Sequence, residues 1–282
     1  MTLTQLVQFA AVWGLALLTR SVRIAAVGER VILAVGLAVV AGVTGLSFVT
    51  GANAQSVANA QTIDDARTAF EEGRFREAAD LAEAIGTSGG YALAAQSLAV
   101  YGHHVADRDN RNEFLERAMK LGEEAVRADS TNPEAYYQSA HAVGRYAQNV
   151  GILTALRRGL AGRVRGLLET ALDIHPDFAE VHMAFGGWHA DIAAAGRVAR
   201  FLYKGNRENA VMHYERALEL APDSKAILFE YALRLPELDR EGGRERAVEM
   251  LSKAAGLPAR DAYEEFIQQD ILEALAESEG GG

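Results

Sequence analysis

The chain has 282 residues, 49% hydrophobic and 23% charged, a globular composition that excludes wholesale disorder. Its net charge of -10 excludes a protein that coats its whole surface with nucleic acid. The lack of cysteine excludes disulfides, thiolate metal sites and a cysteine nucleophile. The charge is uneven, because residues 1–60 hold Arg20, Arg23 and Arg30 against Glu29, a net of +2 that leaves -12 on residues 61–282.

No charged residue lies between Val31 and Ile63. The apolar run Val31–Thr50 is 20 residues, long enough to cross the hydrocarbon core as a helix. Arginines precede it and Ala52-Asn53-Ala54 follows, so residues 1–60 read as a secretory signal cleaved after Ala54. A second small-residue site ends at Ala60. The same run also fits an uncleaved anchor through which the chain would hold the membrane. In either reading the positive flank places the C-terminal part across the membrane. The expected location is therefore periplasmic, free or anchored in the inner membrane. Residues 1–19 are also uncharged. They either complete a membrane hairpin, or residues 1–21 are untranslated and the chain starts near Val22. A mitochondrial presequence would be amphipathic and rich in arginine and serine, which this segment is not.

Residues 61–278 show helical periodicity and almost no strand alternation. In NAVMHYERALELAPDS, Ala210, Tyr214, Ala217 and Pro222 are a small, aromatic, small and proline series. The same register recurs 46 residues earlier at Val164, Leu168, Ala171 and Pro176, and again at Ala118, Gly122, Ala125 and Ser130. In the helix that follows each, Tyr136, His182 and Leu228 take a large position, and Ala140, Gly186 and Ala232 take a small one. Ala66, Phe70, Gly73, Phe75 and Ala78 predict a first unit with its turn at Gly73; Ala247, Leu251 and Ala254 predict a last second-helix. Small residues let helices approach, and the large residue of one fills the gap on its neighbour. Ala259–Ser278, with its many acids, predicts a solvated capping helix, and residues 279–282 a flexible tail.

These motifs resemble the tetratricopeptide-repeat superfamily over roughly residues 62–276. The resemblance implies an all-α, right-handed helical solenoid, here with elongated repeats, preceded by the signal or membrane segment. The segments HMAFGGWHADI (His182 to Ile192) and RFLYKGNRENAVMHYERALELAP are similar to the regulator of microtubule dynamics group and its bacterial relatives. Eukaryotic members of that group associate with microtubules, an activity at odds with an export segment. The chain also resembles the repeat-containing periplasmic companions of tripartite ATP-independent transporters.

A 46-residue period carries about 12 residues more than an ordinary 34-residue repeat. The register puts them between the two helices of a unit, at 146–160 and 192–206. Both inserts are basic, with Arg157, Arg158, Arg163 and Arg165 in or after the first and Arg197, Arg200, Lys204 and Arg207 in the second. They read as an anion- or partner-binding surface, or else as arginines paired with acids such as Glu169 and Glu208. The first helix of each unit should line the groove, presenting Glu134, Tyr137, His141 and Arg145, then Glu180, Met183, Gly187 and Asp191, then Phe229, Leu233 and Glu237. This mixture suits a peptide or a small organic ligand, and equally a solvated groove.

The histidines invite a metal reading, but His182 and His189 fall at packing positions of the repeat, and adjacent His103 and His104 should point to different sides of a helix. Trp188 should pack between helices. Adjacent carboxylates such as Asp64-Asp65, Glu71-Glu72 and Glu123-Glu124 have the spacing of exposed faces. No H-E-x-x-H, G-x-S-x-G, G-x-x-x-x-G-K-[ST] or G-x-G-x-x-G motif occurs. The sequence therefore reads as a non-enzymatic scaffold without cofactor or metal. Its expected ligand is a protein or peptide, or alternatively a small anion held in the groove as an accessory of solute uptake.

Overall fold

The computed structural model describes residues 63–280, so the expected signal or anchor of residues 1–60 lies outside the described residues. Those residues are helical, with no strand among them. Helix α1 covers residues 63–71, α2 Phe75–Ala84 and α3 Ser88–Val100, the last continued by a π-helical turn over Tyr101–Val105. Then come α4 (Arg111–Ala128), α5 (Pro133–Val150), the short α6 (Ile152–Arg157), α7 (Leu160–Ile174) and α8 (Ala179–Ala194). The short α9 (Arg197–Tyr203), α10 (Arg207–Leu220), α11 (Lys225–Leu238), α12 (Gly243–Gly256) and α13 (Ala262–Gly280) complete the order.

The helices pair as α3/α4, α5/α7, α8/α10 and α11/α12, and α1 joins α2 through the cluster of Ala69, Phe70, Phe75 and Ala78. This gives five repeat units among the described residues, with α13 as a further first-helix. The extra residues of the 46-residue period form α6 and α9, between the two helices of their units. Helix starts follow the cap chemistry. The Thr87 hydroxyl accepts the Gly90 N–H at 3.2 Å, Asn132 accepts from Glu134 at 3.0 Å ahead of Pro133, and Asn206 accepts from Asn209 at 2.7 Å. Each satisfies a donor that the helix itself leaves free, a contribution of about 1 kcal/mol.

The core obeys the small–large register. Ala118, Ala125, Leu168, Ala171, Ala210, Tyr214 and Ala217 are completely buried. Gly73, predicted as a turn, has φ +82, and Ala66, Phe70, Phe75 and Ala78 are buried beside it. At Gly122 a Cβ would stand 2.7 Å from the Ser139 backbone, so α4 and α5 meet at a distance only glycine allows. Trp188 packs between α8 and α7 and donates its indole N–H to the Ala161 carbonyl at 2.9 Å.

Helix α13 differs from the solvated cap that its acids suggest. Ile267 and Ile271 are buried with Leu228, Phe229, Leu235 and Leu251. Glu264 is only 5% exposed and accepts from the Arg260 backbone and guanidinium. Lys225, 1% exposed, donates to the Leu257 carbonyl at 2.8 Å and to Gln268 Oε1. The acids that remain in water, such as Glu265, Glu273 and Glu277, lie on the other face. An amphipathic helix with one acidic face can pack by its other face, and composition alone conceals this.

The start of α13 also reaches the first unit. Phe266 lies 6.1 Å from Phe75, and a Cβ on Gly73 would be 3.1 Å from that of Ala262. The last helix thus packs against residues nearly two hundred positions earlier.

Candidate functional site

The first helices pack on one another, α3 on α5, α5 on α8, α8 on α11 and α11 on α13, and so build an inner wall. Three of the predicted groove residues, Tyr137, His141 and Arg145, lie together on the α5 part of it. Their spacing of four puts them on one helix face. The Arg145 Nε donates to His141 Nε2 at 3.2 Å, and its NH1 stands 3.4 Å from His103 Nε2 and donates to Gln148 at 3.2 Å. Burial, seconded by the Arg145 charge, pushes His141 down to about 3 and holds His103 well below the usual imidazole range. Two neutral imidazoles therefore face one guanidinium. Tyr137 stacks on His141 at 6.4 Å and meets Phe178 at 5.5 Å.

His103 and His104 do not separate to opposite sides. The π-helical turn alters the angular step between neighbours, and the two rings touch edge to face at 4.6 Å. His104 then stacks on Phe266 at 4.9 Å and lies 5.9 Å from Tyr263. The Arg145 charge acts on the Tyr263 phenol, which burial pushes above its ordinary value. This part of the wall is therefore already covered by the start of α13.

Further along, Asp191 and Arg234 form an ion pair at 3.2 Å, each side chain 21% exposed. Burial lifts Asp191 to about 6, against the pull of Arg234. Glu180, Leu233 and Glu237 are exposed, Met183 and Gly187 half-buried. Phe229 is placed in the core, 9% exposed and packed in the cluster that holds Ile267 and Ile271.

The eight basic residues of the inserts divide in two. Arg163 pairs with Glu123 at 2.6 Å, and Arg165 pairs with Glu169 at 2.7 Å, donates to the Tyr203 carbonyl and lies over Trp188. Arg158 donates to the Tyr146 hydroxyl, lies over that ring at 5.5 Å and faces Glu116 at 3.9 Å. These three tie helices together. Arg157, Arg197, Arg200, Lys204 and Arg207 are exposed and form no ion pair among the described residues. Helix α9 is framed by Gly196 at φ +94 and Lys204 at φ +58. Gly205, next to this left-handed lysine, is needed for contact: a Cβ there would lie 2.5 Å from that of Ile192.

The wall, its covering helix and the two short inserts form one region of sequence, and that region defines the relationship. The family model of regulator of microtubule dynamics protein 1-3 matches residues 89–279. The chain belongs to this family. No curated protein matches the chain. Among solved structures, the chain is similar to TTC0263, a thermophilic TPR protein of Thermus thermophilus. That match has a TM-score of 0.53 and 17% identity over 78% of this chain and 98% of the other. A looser match, TM-score 0.40 and 16% identity over 80% and 98%, is to YrrB, a TPR protein with an unusual peptide-binding site. The fold shared with the first is that of a tetratricopeptide-like helical array.

In this family member, sequence reasoning passed over a cluster between α8 and α10. His182 Nδ1 and His213 Nδ1 share a hydrogen bond of 2.9 Å, and His182 Nε2 lies 2.8 Å from the Pro176 carbonyl. The carbonyl can only accept, so His182 donates through Nε2, and His213 donates to its Nδ1. His213 stacks on His189 at 5.6 Å, and Phe185 packs against both. Burial lowers His189 and His213 to about 4. His141 lies elsewhere, bonded to Arg145, so these histidines do not converge. Among the described residues no group of three metal-ligating side chains could hold an ion. The packing positions of His182 and His189 in the repeat register were the available signal, and His213 carried none. Two recesses adjoin these features. One, between Arg207, Arg234 and Glu237, has a volume of about 10 Å³, room for a single water. The other, beside His182 and His213, is about 390 Å³ and open, and it carries Glu215 and Glu219. Arg216 lines the larger recess between these two acids.

Proposed function

We propose that the chain is a non-enzymatic repeat scaffold that binds a protein or peptide partner outside the cytoplasm, exported or anchored by its N-terminal apolar segment. One observation carries the binding reading. The inner wall already accommodates a helix, α13, through aromatic, imidazole and guanidinium groups: His104 on Phe266, with Tyr263 beside Arg145. That is the chemistry of helix-in-groove recognition, in which a few anchors enter a preformed surface. The wall continues beyond the start of α13 through Glu180, Met183 and Asp191 to Leu233, which is 43% exposed. A partner segment would extend along that part.

Export is supported by the uncharged run Val31–Thr50 behind Arg20, Arg23 and Arg30. It would separate this chain from the microtubules named in the family description.

Crosslinking in intact cells followed by mass spectrometry tests the reading. A defined protein partner should be captured by the full chain and lost in a Glu180→Lys, Leu233→Glu double variant of unchanged helicity, since both positions are exposed. Capture identical in both would remove the inner wall from the proposal. Protease added to spheroplasts should digest the repeat domain, whereas protection until lysis would overturn export.

A further inference from the structure

Helix α9 turns Ala199 and Tyr203 toward the core cluster of Leu168, Phe185 and Trp188. Its other side carries Val198, Phe201 and Leu202, at 68%, 82% and 61% exposure. Single exposed apolar residues are ordinary, but three on one face of a seven-residue helix form a patch. Arg197, Arg200 and Lys204, spaced three and four apart, flank that patch on one side of the helix, exposed and without an ion pair among the described residues. Arg207 lies instead at the recess beside Arg234 and Glu237. No acid occurs from Ile192 to Arg207, nor from Ala135 to Leu168, in a repeat region of net charge -12. Tyr203 ties the two stretches together, since its carbonyl accepts from Arg165 and its ring lies 3.7 Å from where a Cβ on Gly162 would be.

We propose that α9 is a membrane-docking wedge that seats Val198, Phe201 and Leu202 in the interface of a bilayer rich in anionic lipid, while Arg197, Arg200 and Lys204 hold the headgroups. Charge complementarity selects this occupant. A second copy docking patch on patch would bury Phe201 but would set Arg197, Arg200 and Lys204 against the same three cations of the other copy, with no acid between Ile192 and Arg207 to offset them. An anionic bilayer satisfies both halves of the patch at once, with apolar groups below the headgroups and cations at their level. The acidic remainder of the domain is repelled by the same surface. The domain would therefore dock in one orientation, inserts toward the lipid. The inner-wall reading does not depend on this one, because α9 lies outside that wall.

The chain has no native cysteine, so a single introduced thiol reports one position. Full-length protein carrying Phe201→Cys, labelled with a polarity-sensitive dye, is mixed with vesicles of phosphatidylcholine alone or with about 30% phosphatidylglycerol, enough to give a negative surface potential. Met212→Cys on α10 serves as the control. On the anionic vesicles the dye at 201 should shift to the blue and become shielded from an aqueous quencher. The dye at 212 should stay in water on both. Arg197→Glu, Arg200→Glu and Lys204→Glu together should weaken that shielding about a hundredfold in lipid concentration, by the roughly tenfold-or-less effect of each surface cation. Because the comparison is between positions in one chain, it reads α9 whether or not residues 31–50 insert. A dye at 201 that stays in water on anionic vesicles would overturn the proposal. So would shielding that rises with protein concentration without lipid, which would assign the patch to a second copy, or shielding only by an added protein.

Discussion

Tyr214 fills the space that Gly186 leaves open. A Cβ at position 186 would lie 2.8 Å from the ring, which is completely buried and stacked at 4.6 Å on Tyr231. Close-packed interiors do not absorb an added methyl at that distance without moving a neighbour. Gly186→Ala should therefore cost about 1–3 kcal/mol. Gly166 on α7 has nothing within 4 Å of a built Cβ. There, alanine should stabilise by about 0.5–1 kcal/mol, because glycine loses more backbone entropy in a helix. Urea unfolding of the two variants checks the pair, and equal midpoints would refute the packing account.

Acid should weaken the α8–α10 seam. His189 and His213 are held near 4 when folded and titrate near 6.5 when unfolded. Between those values the unfolded chain binds more protons, so their contribution is complete above about pH 6.5 and declines toward pH 4. The loss is at most about 3 kcal/mol for each histidine. Asp191 works the other way. Its value of about 6 means that the folded chain takes up a proton first, adding stability as pH falls from 6 toward its unfolded value. Stability measured from about pH 7 to pH 4.5 should fall, less steeply in His213→Phe and more steeply in Asp191→Asn. A flat profile in the parent protein would contradict this assignment.

Phe266 joins the last helix to the first unit through Phe75 and His104. Phe266→Ala should cost about 1–3 kcal/mol, less than a fully buried phenylalanine because the ring is half-buried. Hydrogen exchange should accelerate at the start of α13 and around Gly73 together. Acceleration confined to α13 would show that the closure contributes nothing to the first unit.

The inserted arginines should respond unequally to charge reversal. Arg158→Glu breaks the contacts to Tyr146 and Glu116 and places like charges together, so the melting temperature should drop by a few degrees. Arg200→Glu should leave it unchanged, since no acid pairs with it among the described residues. Calorimetry distinguishes the two; an equal drop would mean that Arg200 also holds the fold.

Much of the array is legible in the linear chain because its determinants are local. Ala210, Tyr214 and Ala217 recur at helical spacing, and Gly186 answers Tyr214 through a register repeated along the chain. The grouping of Tyr137, His141 and Arg145 follows from the same periodicity. What α13 does was hidden by its acids, which mark the wet face and say nothing of Ile267 and Ile271. The contact between His103 and His104 depends on a π-helical turn that no residue pattern announces. The histidine seam joins His182 and His213 across two helices, and only one of those positions is distinctive in the repeat.

By itself, the sequence determined an all-helical repeat array, its unit boundaries, the two basic inserts and an apolar N-terminal run. All of these are set by spacing within one or two helices. Only the tertiary structure decided that α13 covers part of the inner wall, that Phe229 lies in the core, and which inserted cations remain free. Those outcomes depend on which helices pack together, which brings residues far apart in sequence, such as Phe75 and Phe266, into contact. Arg163 is tied because α4 brings Glu123 within reach; Arg200 is free because no described acid comes near.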